Sequence, residues 1–169
     1  IGCSPDTGSE LDSKDTILDS PPDPVDTSWL DIQLKDVNSG ESFTLSDFKG
    51  TPVLLESFAV WCPLCTKQQR ETKKLHEDVG DSIISIALDT DPNEDEAAVK
   101  SHAKNNGFDW RYVISPRELT QALVDEFGSG VVSAPSVPVI LVCADQSSRL
   151  LKRGVKSAEV LKQEVAKGC

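Results

Sequence analysis

The sequence has no methionine and no long hydrophobic run, and it is poor in basic residues. Lys and Arg total 17 against 28 Asp and Glu, giving a formal net charge of -11. A balance that acidic argues against nonspecific binding to nucleic acid or to an anionic bilayer. The longest apolar stretch, Pro138 to Ala144, falls far short of the ~18 to 20 residues a membrane-spanning helix needs. Histidine is scarce, with His76 and His102 isolated from each other, and the five cysteines contain a single closely spaced pair. A zinc site of two such pairs is therefore not expected, and neither is any other metal or cofactor. At 169 residues the chain is long enough to fold as one domain without disulfides or metals, burying roughly two thirds of its unfolded surface.

The opening Ile1-Gly2-Cys3 resembles the tail of a bacterial-type lipoprotein signal, in which the cysteine takes the lipid. Cys3 is the expected lipidation site, the alternative being an unpaired thiol. Residues 1–27 carry Asp6, Glu10, Asp12, Asp15, Asp19, Asp23 and Asp26 against Lys14 alone, with Pro21, Pro22 and Pro24 near the end. Such a segment reads as a solvated, self-repelling linker. As a flexible coil it would span roughly 30 Å and serve as a membrane tether.

From residue 28 to 169 the pattern is that of a folded domain. Ile32 to Leu34 and Ser42 to Thr44, around Asn38-Ser39-Gly40, predict a small hairpin. Pro52 to Phe58 and Ser82 to Leu88 read as strands buried on both faces. A helix is expected from Pro63 to about Val79. Asn93 with Glu96 is a capping arrangement for a second helix that Gly107 closes, and Arg111 to Ile114 is a short strand. Ser115-Pro116-Arg117-Glu118 predicts a helix with Ser115 as its cap. Pro138 to Cys143 and Leu150 to Arg153 are two further strands, and Ser157 caps a last helix ending at Gly168. Alternating strands and helices, with two adjacent strands late in the chain, imply an α/β fold with a mixed sheet.

The chemistry is concentrated in Val53-Leu54-Leu55-Glu56-Ser57-Phe58-Ala59-Val60-Trp61-Cys62-Pro63-Leu64-Cys65. Here a strand runs into a Cys-x-x-Cys whose first cysteine opens a helix. Unpaired N–H groups and the positive end of the helix dipole favour a thiolate there. A thiolate is the attacking species in disulfide exchange, and the spacing lets the second sulfur resolve a mixed disulfide. Cys62 is expected to attack and Cys65 to resolve. A permanent disulfide across one helical turn would close too short a loop to stabilise much.

With these motifs, roughly residues 29 to 168 resemble the TlpA/ResA branch of thioredoxin-fold, extracytoplasmic thiol-disulfide oxidoreductases. Asp31 to Leu34 and Gly40 to Gly50 resemble that family's N-terminal hairpin, and the segment from Glu94 to Ile114 resembles its helix-strand insertion. The resemblance implies a thioredoxin-like fold, a client groove beside Trp61 and Pro63, and protein thiol or disulfide clients served by an upstream thiol donor. It also implies a cis-proline facing the cysteines. Val137-Pro138, followed at once by Val139 to Val142, matches that position, with Ala134-Pro135 as the rival. Such a bond turns the backbone of the preceding residue toward a substrate strand. Glu56, six residues before Cys62, matches the family's buried acid and is expected to relay a proton to or from Cys65.

Departures from the family pattern are Leu64 before the second cysteine, Val137 where Thr is common, and no lysine near Ser85. They leave the direction of electron flow open, with reductase favoured by resemblance. Peroxiredoxins share the fold, but their Thr three residues before the reactive cysteine is Ala59 here. Copper chaperones of similar fold use a Cys-x-x-x-Cys that Cys62 and Cys65 do not match. A thiol peroxidase and a noncatalytic peptide- or metal-binding module remain the alternatives. Cys143 is expected as a small core residue and Cys169 as a free thiol, a disulfide between them being the less favoured option. His76 and His102 are expected to face solvent.

Overall fold

The computed structural model describes residues 26–169 together with Ile1 and Gly2. The lipidation site expected at Cys3, and nearly all of the acidic linker, lie outside the described residues. The described chain opens with a short 3-10 turn at Ser28–Asp31 that buries Trp29 and Leu30. A two-stranded antiparallel ribbon follows, β1 (Leu34–Lys35) against β2 (Ser42–Phe43). Asp36 closes this turn: its carboxylate accepts the N–H groups of Asn38, Ser39 and Tyr112. These bonds hold it below the usual carboxylate range although its burial opposes them.

The main sheet is built outward from β3 (Val53–Phe58), in which every residue is buried. Parallel to it runs β4 (Ile84–Asp89), and beyond that, also parallel, β5 (Arg111–Ile114). On its other side β6 (Val139–Val142) is antiparallel to β3, and β7 (Ser148–Leu150) is antiparallel to β6. The spatial order is β5-β4-β3-β6-β7, the mixed sheet that the sequence implied.

Alternation along β3 sends its side chains to opposite faces. Val53 and Leu55 join Trp29, Leu45, Ile86, Leu88 and Ile140 under α3 (Arg117–Phe127). Leu54, Glu56 and Phe58 therefore face the other way. On that side α1 (Pro63–Val79) and α4 (Ala158–Lys167) cover Leu54 with Leu75 and Leu161. The same face continues past Phe58 to α2 (Glu96–Asn106), which contributes Val99 and Ala103. Glu56 is thus placed by register on the covered α1 side of the central strand.

Several local expectations are corrected. The cap of α2 is Asp95, whose side chain accepts the Ala98 N–H at 2.8 Å, and not Asn93. Asn93 instead donates to Asp91 within the preceding turn. Pro116 itself is the cap residue of α3, and the Ser115 hydroxyl pairs with Thr120. Cys143 and Cys169 are joined by a disulfide. Docking of α4 beside β6 brings the last residue back to the strand end, a proximity that no local pattern encodes.

Candidate active site

Cys62 is the N-cap of α1, and Pro63 starts the helix where a missing N–H costs nothing. The Cys65 N–H donates to the Cys62 sulfur at 3.2 Å, and the Cys65 thiol donates to the Ala134 carbonyl at 3.2 Å. Both thiols are free. Burial pushes the Cys65 thiol well above its ordinary value, and the hydrogen bond to Cys62 and the charge of nearby Glu56 push the same way. Cys62 is only 1% exposed, packed with Phe58, Ala59 and Ala134. A thiol pair of this spacing at a helix start can pass between dithiol and disulfide.

Trp61 stands out from this buried pair at 59% exposed, with Leu64 also exposed. Its indole N–H donates to Asp91 at 2.6 Å. Between Trp61 and the Ser133-Ala134-Pro135 segment lies a groove of about 340 Å³, floored by Ala59 and bordered by Pro92. The backbone N–H of Val60 is held by both carboxylate oxygens of Glu94, at 3.0 and 2.8 Å.

The expected cis-proline is corrected: among the described residues no peptide bond is cis. Val137 adopts a left-handed backbone, φ 51° and ψ 58°, as the chain leaves the 3-10 turn Ala134–Ser136. Its N–H donates to Ala134 at 2.9 Å and its carbonyl accepts from the Lys156 ammonium at 2.8 Å. Both backbone groups are used inside the protein, so Val137 has neither to offer a substrate strand. Pro138 is buried and its carbonyl accepts from Ser57. Of the residues expected to bind clients, Trp61 lines the groove and Pro63 is exposed at the helix start, whereas Val137 and Pro138 lie inside. The rival Ala134-Pro135 segment forms the opposite wall.

Beneath the thiols, Glu56 is fully enclosed, and its Oε1 has no hydrogen-bond partner. Burial raises its carboxyl well above the usual range, and Lys156 opposes that rise. Lys156, absent from the sequence expectations, is 6% exposed and lies between β7 and α4. Burial lowers its ammonium to about 8, with Glu56 acting against the fall. No periodic pattern marks this lysine, because its burial depends on how the β7–α4 connection folds back over α1.

A second network surrounds Gln69 on α1. Its Oε1 faces His102 at 2.7 Å and accepts from the Tyr112 hydroxyl at 3.0 Å. His102 is buried against Phe58 and Phe108, not solvated as expected. Val99, His102 and Ala103 share one helical face, a spacing that signals burial. His76 is half-buried, pairing with Ser85 and stacking on Trp110. No cluster of three or more metal-ligating side chains occurs among the described residues.

Residues 24–157 match the family model described as Redoxin. A thioredoxin-like protein of Bacillus subtilis, YneN, is 34% identical over 74 residues, 43% of each chain. The two curated relatives found are matched over only 47% and 43% of their own lengths. Among solved structures, a secreted Mycobacterium tuberculosis disulfide oxidoreductase homologous to Escherichia coli DsbE superposes with a TM-score of 0.66. It is 15% identical over 83% of this chain and 98% of its own. The exposed lipoprotein thioredoxin Etrx1 of Streptococcus pneumoniae gives a TM-score of 0.62, at 20% identity over 80% and 98% of the two chains. These superpositions show a shared thioredoxin-like fold.

Proposed function

Because the chain belongs to the redoxin family of thioredoxin-fold oxidoreductases, we propose that it exchanges thiols and disulfides with client proteins through Cys62 and Cys65. The observation that carries this reading is the free thiol pair at the start of α1, with the Cys65 N–H directed at the Cys62 sulfur. In the reducing direction, the Cys62 thiolate attacks one sulfur of a client disulfide. A Cys62–client bond forms and the other client sulfur leaves as a thiolate. Cys65 passes its proton to Glu56 and attacks the Cys62 sulfur, releasing the second client thiolate. Two electrons have then moved to the client, whose thiolates take protons from solvent. The protein is left with a Cys62–Cys65 disulfide, which an upstream thiol donor reduces. Extended client segments fit the groove beside Trp61, bounded by Pro135.

We place this activity outside the cytoplasm. The Cys143–Cys169 disulfide supports that location, since stable disulfides belong to oxidising compartments. Neighbours of the same fold include a secreted oxidoreductase and an exposed lipoprotein. Among the described residues no helix is long and apolar enough to cross a membrane. Membrane attachment, in this reading, comes through a lipid on Cys3 and the acidic tether behind it.

The test is a redox titration of the Cys62–Cys65 pair in thiol buffers, with trapping of a disulfide-containing peptide by Cys65→Ala. A potential near about -270 mV identifies a reductant and one near about -120 mV an oxidant. Cys65→Ala is expected to accumulate the mixed disulfide and Cys62→Ala to accumulate none. Failure to form the Cys62–Cys65 disulfide would move the reading to a noncatalytic binding module.

A further inference from the structure

Lys156 is hydrogen-bonded through both its backbone and its ammonium. The side-chain amide of Gln68 brackets its backbone, with Nε2 donating to the Lys156 carbonyl at 3.0 Å and Oε1 accepting the Lys156 N–H at 2.7 Å. Gln68 is itself fully buried, one turn of α1 beyond Cys65. The ammonium then donates to three carbonyls, those of Val137 (2.8 Å), Lys152 (3.1 Å) and Gly154 (2.5 Å). An ammonium has three donors and no acceptor, so this cage satisfies it completely in its charged form. It forms no salt bridge with Glu56, but the Val137 carbonyl it binds immediately precedes Pro138, whose carbonyl accepts the Ser57 N–H, and Val139, which pairs with Glu56 across the sheet. Its charge acts on the carboxylate through space, in surroundings where a charge is weakly screened.

We propose that Lys156 is a positioning residue for disulfide exchange, its caged positive charge keeping Glu56 able to take the Cys65 proton. The proposal deepens the thiol-exchange reading and rests on it. Without a counter-charge, a carboxyl enclosed as Glu56 is would remain protonated and could accept nothing. Among the described residues, Cys65 on α1 and Tyr112 on β5 interact unfavourably with a negative charge on Glu56, whereas Lys156 favours it. A cavity of about 10 Å³, lined by Glu56, Thr72 and Ser85, adjoins the carboxyl. That is room for about one water through which the proton can leave. The charge arrives from the β7–α4 connection, locked to the active-site helix by Gln68.

The test uses the Cys3→Ser protein and an aromatic disulfide reagent that releases one chromophore when Cys62 attacks and a second when Cys65 resolves. In Lys156→Met, which keeps the aliphatic stem, the second release is expected to slow at least tenfold at pH 7. Its pH midpoint should rise, while the first release stays within about twofold. In a Glu56→Gln background, adding Lys156→Met should change the second release by less than twofold, since the charge acts through the carboxylate. If Lys156→Met alone does not fold, Glu56→Gln is compared directly with the double variant, which leaves neither charge buried alone, and a slowing of the second release by more than twofold between them would overturn the proposal. An unmoved midpoint in Lys156→Met, or an equal slowing in the Glu56→Gln background, would overturn the proposal. Release of a single chromophore by the Cys3→Ser protein with Glu56 and Lys156 intact would instead sink the thiol-exchange reading itself.

Discussion

At the scale of single residues, Asp89 is the acid that sequence reading passed over. It ends β4 at 1% exposed, with Oδ1 accepting the Asp91 N–H at 3.0 Å and Oδ2 unpartnered. Burial raises its carboxyl to about 7, and the nearby Glu94 carboxyl adds to the rise. The folded chain thus keeps a proton that the unfolded chain loses near its ordinary value of 3.8. Between those two values the folded state binds more protons, so stability falls as pH rises through that window and levels off above about 7. Asp89→Asn should flatten this slope, which denaturant titrations at pH 4.5 and 7.5 would measure. An unchanged slope in the variant would assign the pH dependence to other groups. Cys62 and Cys65 could be picked out of the sequence because their spacing is itself the chemistry. Asp89 could not, since a strand-end aspartate reads as solvated until the β4–α2 loop folds over it.

At the scale of elements, the segment between β3 and α1 that ends in Cys62 is tied to the neighbouring loop. Trp61 is tied to the β4–α2 loop by its bond to Asp91, and Val60 to the same loop by Glu94. Cys62 lies beneath, nearly inaccessible. Opening this segment to let a client reach that sulfur is expected to break the Trp61–Asp91 bond. A hydrogen bond of that kind is worth about 1 kcal/mol. Asp91→Ala should accordingly raise the alkylation rate of Cys62 about fivefold, read by mass spectrometry with Cys65 scored separately. If the rate stays at the wild-type value, another contact is the cover. Helices α1 and α4 followed their sequence signals closely. Pro63 and Gly80 bound α1, and Ser157 caps α4 through the Val160 N–H. Where two caps were possible within a few residues, as at Asn93 and Asp95, local sequence did not choose between them.

At the scale of the whole molecule, the Cys143–Cys169 disulfide joins the end of β6 to the chain terminus across 26 residues. In the chain-entropy model, closing a loop of that length stabilises the fold by about 3.5 kcal/mol, by constraining the unfolded chain. Replacing both cysteines with Ser should lower the unfolding free energy by about that amount in denaturant titration. Thiol exchange at Cys62 should persist, because the bridge lies away from the groove. Loss of exchange in a variant that remains folded would show that the bridge also shapes the site. The bridge anchors α4, whose N-terminal approach carries Lys156 and whose Leu161 packs on Leu75 of α1.

The placement of Cys62 and Cys65 between strand and helix, the mixed α/β class and the burial of β3 with Glu56 inside it were all legible in the residues alone. These are local properties, written in hydrophobic period, caps and cysteine spacing. Tertiary structure decided the rest. It turned Val137 inward, so that the groove wall falls to Ala134 and Pro135. It brought Lys156 under the thiols from a connection 91 positions after Cys65. It paired Cys143 with Cys169. Each of these joins residues distant along the chain, and only the packing of α1 and α4 on one face of the sheet sets which of them meet.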